Sequence, residues 1–195
     1  LGTTAAGTTV ATGAALELDG ANTAEALSIV GTGIGAGGAI RNITGSNAVT
    51  GGITLTGASR INSDAGTLTI STANITGNTQ NLTIGGAGAT AISSVIGTTT
   101  GTLTKDGLGT LTLSGANLYT GATTITAGTL ALDATGTIAT SSGVANNGTL
   151  DISGTSSGTT INLLSGSGGV SLGIKPLTLT GTSTFDGVIS GTGGL

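Results

Sequence analysis

The tripeptide Gly-Thr-Leu recurs at Gly66, Gly101, Gly109, Gly128 and Gly148, and each copy leads into a short alternating run built on Leu or Ile. The last two intervals, 109 to 128 and 128 to 148, are nineteen and twenty residues. An alternation of two sends aliphatics to one face and hydroxyls to the other, which is the pattern of a half-buried strand. The plan is clearest at 103–132, LTKDGLGTLTLSGANLYTGATTITAGTLAL, with runs at 110–113, 123–126 and 129–132. The corners between them carry Gly and Asn, which accept the positive φ of sharp turns. A unit near twenty residues with two or three strands and no helical period is the signature of a β-solenoid.

Taken in order, the chain is diffuse from 1 to 52, where Leu16-Glu17-Leu18, Leu27-Ser28-Ile29 and Ile40 read as strand cores among Gly, Ala and Thr. A strand at 16–19 directs Glu17 and Asp19 outward. The glycines of GTGIGAGG at 31–38 superficially match a dinucleotide-binding loop, but no helical pattern follows, so they read as a corner. From Ile53 the runs steady: 53–55, 68–70, 82–84, 95–96, 111–113, 130–132, 150–152, 161–163 and 177–179. Antiparallel hairpins favour Asn-Gly connections, and Asn147-Gly148 is the single example. The expected fold is therefore all-β, a single-chain β-solenoid over 1–195 with coils of about 20 residues, roughly ten of them, in a rod around 45 Å long.

Composition narrows the function. Leu, Ile, Val and Phe make up about a quarter of the chain, net charge is −4, and only 6% of residues are charged. Low charge with strong periodicity describes a folded chain rather than a disordered one. The four cations, Arg41, Arg60, Lys105 and Lys175, are scattered, so the basic footprint of a nucleic-acid binder is missing. No apolar run reaches the roughly 20 residues of a membrane helix, and two aromatics cannot form the girdles of a membrane barrel.

His and Cys are absent, which removes the usual general base, the thiol nucleophile and the common transition-metal ligands. Asp64, Asp106, Asp133, Asp151 and Asp186 fall singly in different repeats, and only Glu17 and Asp19 are close in sequence. A glycosidase needs two carboxyls about 5 to 10 Å apart, so no enzyme and no catalytic, cofactor-binding or metal residue is predicted. The glycine clusters lack the Asp spacing of calcium-binding nonapeptides. Lys105-Asp106 beside Gly107 reads as a local ion pair or turn stabiliser worth under about 1 kcal/mol. Tyr119 and Phe185 are expected to plug a corner or the coil interior. Asn42, Asn74, Asn81 and Asn147 begin Asn-x-Thr triplets, which chance supplies in so Thr-rich a chain. Thr-x-Thr pairs, among them 54/56, 67/69, 102/104, 110/112, 124/126 and 178/180, raise the alternative of an ice-binding face; plain solvated strand faces explain them equally.

The segment KDGLGTLTLSGANLYTGATTITAGTL resembles the autotransporter-associated β-strand repeat of Gram-negative passenger domains. The shared pattern is Lys-x-Gly-x-Gly-Thr-Leu-x-Leu-Ser-Gly, then Asn-x-Tyr-x-Gly, Thr-Thr and Gly-Thr-Leu. The sequence departs from it at Leu118, where Thr is common, and at Ala122, where a second Gly is common; both lie in a turn. GVANNGTLDISG and FDGVISGTGGL are similar to segments flanking such units, so recognisable motifs cover 91–195. The resemblance implies a right-handed parallel β-helix, exported through an outer-membrane barrel encoded elsewhere in a longer chain. It implies no catalysis. The expected function is that of an extracellular or cell-surface stalk or adhesion scaffold of a Gram-negative bacterium. Partners would be a host surface, a neighbouring cell or other copies in a filament or biofilm matrix; no cofactor, nucleic acid or membrane contact is expected within the segment.

Overall fold

A computed structural model describes residues 6–195. Among them are twenty-three short strands, one three-residue 3-10 turn at Ile34–Ala36 and no α-helix. Every pairing between strands is parallel and joins one coil to the next, in a thirteen-stranded sheet, an eight-stranded sheet and a two-stranded sheet. The chain winds as a β-solenoid of about 9 turns with about 21 residues per turn. Each coil carries its strands on different faces, so their backbone groups bond the equivalent strands of the coils above and below rather than one another.

Side chains in register form ranks. On the large sheet, successive inward partners are Ile40, Ile61, Ile84, Lys105, Ile125 and Asn146. On the eight-stranded sheet they are Leu68, Thr90, Leu111, Leu130, Leu150 and Val170. A third rank runs Leu27, Ile53, Ile75, Ile96. All the aliphatics in these ranks are buried. Each contributes about 1.5–3 kcal/mol of transfer free energy, so the core grows with every coil although no coil has a core alone.

The count of turns is lower than the roughly ten expected because the early coils are long. Leu27 pairs with Ile53, 26 residues on, and Leu16 with Ile40, 24 on. Later steps are 18 to 23, as from Thr159 to Leu177 and from Ser59 to Leu82. The eleven-residue strand Ile53–Ser63 absorbs the change: its start pairs with Ile75–Thr76 and its end with Leu82–Gly85. Those uneven coils are why the first 52 residues lack a steady period. The corner at 31–38 holds the 3-10 turn, closed by a bridge between Gly33 and Gly38, with no helix after it. One alternation is corrected. Leu163, expected inside with Ile161, is 40% exposed, and Leu164 takes the core position at the start of strand Leu164–Gly166. The chain turns between the two strands, so the period of two does not carry across.

Corners stack as tightly as strands. Gly107 and Gly128 both have left-handed φ, +71° and +65°, and a Cβ on either would meet a carbonyl oxygen one coil back at 2.5 Å, that of Gly86 or Gly107. Asparagines close the gaps where strands break: the side-chain oxygens of Asn74, Asn81 and Asn147 accept the amides of Val95, Thr102 and Ser167 on the following coil. Three of the four Asn-x-Thr asparagines thus hold adjacent coils together. The fourth, Asn42, is fully buried and donates to Ser63 Oγ at 2.9 Å.

Candidate functional site

Charged groups, separate in sequence, meet on one corner of the large sheet. Glu17, Arg41 and Asn62 are successive register partners, and Gly85 follows Asn62. Arg41 Nη1 donates to Glu17 Oε1 at 3.0 Å and Arg41 Nε to Asp64 Oδ2 at 2.7 Å. Asn62 Nδ2 donates to Asp64 Oδ1 at 2.6 Å and accepts, through Oδ1, from Arg60 Nη2 at 2.9 Å. Arg60 then reaches past Gly85 to grip both oxygens of Asp106, at 2.6 and 2.8 Å. The carboxylates do fall in different coils, as the sequence predicts, yet winding aligns three of them with two arginines.

The corner sets three carboxylates against two arginines. Each of Glu17, Asp64 and Asp106 is held by a guanidinium, so none stands free as a general base. Among the described residues no group of three His, Cys, Asp or Glu is arranged to hold a metal ion. The remaining acids lie apart: Asp133 and Asp151 accept backbone amides, from Ala134 at 2.9 Å and Ser153 at 2.9 Å.

Lys105 departs from the sequence expectation. It is 2% exposed and occupies the inner rank between Ile84 and Ile125. Its Nζ donates to the carbonyls of Asp106 at 2.6 Å, Gly107 at 2.8 Å and Ala127 at 3.3 Å. The ammonium thus caps its own corner and the corner of the next coil; burial lowers its pKa below the ordinary lysine value. The turn-stabilising part of the expectation holds, but the ion pair is not local, because Asp106 turns to Arg60, 46 residues away. The alternation Leu103-Thr104-Lys105 already put the lysine on the inner face; its charge masked that signal.

The same repeat has a buried hydroxyl chain. Tyr119, fully buried, shares a 2.8 Å hydrogen bond with Thr123 Oγ1, which meets Ser141 Oγ at 3.0 Å; Ser141 donates to the Gly121 carbonyl at 2.9 Å. Tyr119 is therefore the interior plug expected, and Phe185 packs partly buried against the core.

Outward threonines do not tile. On the eight-stranded sheet one rank reads Thr67, Ala89, Thr110, Thr129, Thr149, Gly169 and the other Thr69, Ala91, Thr112, Ala131, Asp151, Ser171. Only the coils of Thr67/Thr69 and Thr110/Thr112 carry a complete pair, and an alanine pair separates them. On the large sheet Thr104 aligns with Thr124, so the 102/104 and 124/126 pairs share that one row and extend from it in opposite directions.

Residues 103–132 match the Passenger-associated-transport-repeat family. That stretch is one and a half coils of the ladder, and it carries Lys105, Gly107, Tyr119 and Gly128. Repeat and solenoid together fit an autotransporter passenger repeat, a family that implies a secreted or surface-exposed protein. No curated protein and no solved structure matches the chain significantly.

Proposed function

We propose that the chain serves as a rigid structural segment of an autotransporter-like passenger, holding attached regions away from the cell that exports it. The supporting observation is that the strands of the matched repeat sit within the two long parallel sheets, with its most distinctive residues, Lys105 and Gly128, spent on corner packing. A stack whose backbone groups bond from coil to coil resists local opening, and each new coil can template on the last as the chain emerges from a pore. The outward ranks of the eight-stranded sheet are mostly small or hydroxylated, which suits an exposed stalk.

The reading is tested by placing the chain between an export leader and an outer-membrane β-barrel in a Gram-negative host. Cleavage by external protease at a site engineered beside the solenoid, with the solenoid itself protected, supports it. Retention inside the outer membrane, or digestion of the solenoid at the rate of an unfolded chain, defeats it. Light scattering on the purified chain should give a monomeric rod; concentration-dependent fibres would favour a filament role instead.

A further inference from the structure

The narrow third face of the solenoid carries a break in its ladder. Strand Thr159–Ile161 pairs with Leu177–Leu179 on the following coil, and these two form a sheet separate from both long ones. On the preceding coil Thr137 bonds backward, its amide donating to the Gly115 carbonyl and its carbonyl accepting from the Asn117 amide. Between Thr137 and Thr160 the strand pairing stops. A cleft of about 250 Å³ opens there, lined by Thr137, Ala139, Ser157, Thr159, Thr160 and Thr178 among others.

Two features give the cleft a chemistry. In a parallel pair a residue directs its N–H and C=O to the same neighbour, and successive residues alternate. Thr159 donates to the Pro176 carbonyl at 3.0 Å and Ile161 accepts from the Thr180 amide at 3.1 Å, so both face the following coil. Thr160 between them turns both backbone groups toward the cleft. Thr159 faces inward with Ile161 and its Oγ1 is buried, so the exposed Thr160, with its hydroxyl and its peptide, supplies this strand's polar contacts to the cleft. Five hydroxyl side chains and no charged one line the space.

We propose that this cleft binds a single neutral, hexose-sized saccharide unit. Its ring hydroxyls would bond the Thr160 peptide and the surrounding Thr and Ser side chains. A charged ligand would find no counter-charge in the lining. An extended peptide would need a run of free peptide groups where the cleft offers one. The proposal stands apart from the export role, since it concerns only the purified chain.

The test is an amide-shift titration of the isotope-labelled 195-residue chain with the methyl glycosides of glucose, galactose and N-acetylglucosamine. At least one should give saturable shifts at Thr137, Ser157, Thr160 and Thr178, with a dissociation constant on the order of millimolar, since a shallow site without aromatic stacking gains little beyond hydrogen bonds. Ala139→Trp, at an exposed position, should plug the cleft and abolish the shifts, while Thr112→Val on the eight-stranded sheet should leave them unchanged. No saturable shift with any of the three sugars overturns the proposal. So do equal shifts in Ala139→Trp.

Discussion

Arg60 and Asp106 lie 46 residues apart and on coils that are not adjacent, yet they form a two-pronged ion pair through the space above Gly85. A Cβ on Gly85 would collide with both the Arg60 guanidinium and Asp106 Oδ1. Gly85 is therefore the opening that lets a side chain skip a coil. The pair ties the irregular early coils to the regular repeat that begins at Leu103.

Gly85→Ala is expected to destabilise the chain by about 2 kcal/mol, because it displaces charge-assisted hydrogen bonds rather than forcing a left-handed φ. Asp106→Asn alone should cost about 1–2 kcal/mol, discounted because the Asp106 side chain is 32% exposed. In a double-mutant cycle read by denaturant unfolding, Gly85→Ala should cost clearly less in the Asp106→Asn background. Additive costs would show that the glycine serves some other end.

Lys105→Met keeps the apolar stem in the inner rank but withdraws the donor from three carbonyls. Although replacing a buried ion by a hydrophobe is often harmless, here the partners are fixed backbone groups left without a proton, so a loss of about 1–3 kcal/mol is expected. The pH dependence carries its own sign. With the folded-state pKa lowered, the unfolded chain holds the proton more tightly, so this group adds stability as pH rises toward its ordinary value of 10.5. That increment should vanish in Lys105→Met when unfolding is followed across the alkaline range.

Tyr119 acts in the opposite direction. Burial raises its phenol well above the ordinary value of 10.0, against a smaller opposing effect from the Thr123 hydrogen bond. Above pH 10 the unfolded chain gives up that proton and the folded chain does not, so stability falls there. Tyr119 is the one tyrosine and there is no tryptophan. Near-ultraviolet tyrosinate absorption therefore reports this residue alone and should appear only together with loss of strand signal by circular dichroism. Ionisation at the ordinary pH in a folded chain would contradict the burial.

Gly128→Ala should be among the most damaging single-methyl additions. It forces a left-handed φ on a residue with a side chain, about 1–2 kcal/mol by itself. It also sets a carbon 2.5 Å from the Gly107 and Gly109 carbonyls and 2.8 Å from Lys105 Nζ. Gly169→Ala, whose Cβ would meet nothing nearer than Thr149 Oγ1 at 3.8 Å, is the control and should fall within about 0.5 kcal/mol of the parent.

Thermal hysteresis should be absent at high concentration. An ice-matching face needs paired threonines on successive coils, and Ala89/Ala91 separates the two complete pairs on the flat sheet. A measurable freezing-point gap would require a second face to do the work.

What the sequence determined by itself was the strand code and its beat. Alternation at 110–113 or 129–132 names both the strand and its buried face, because a period of two leaves side chains no other choice. Recurrence near twenty residues forces stacking, because so short a unit has nothing else to bury against. Tertiary structure alone decided which coil meets which. Leu27 finds Ile53 across 26 residues, Arg60 finds Asp106 across two coils, and the third face opens a cleft where Thr160 lost its neighbour. Those outcomes depend on coil length and corner shape, which accumulate along the winding and leave no local mark on the residues that end up in contact.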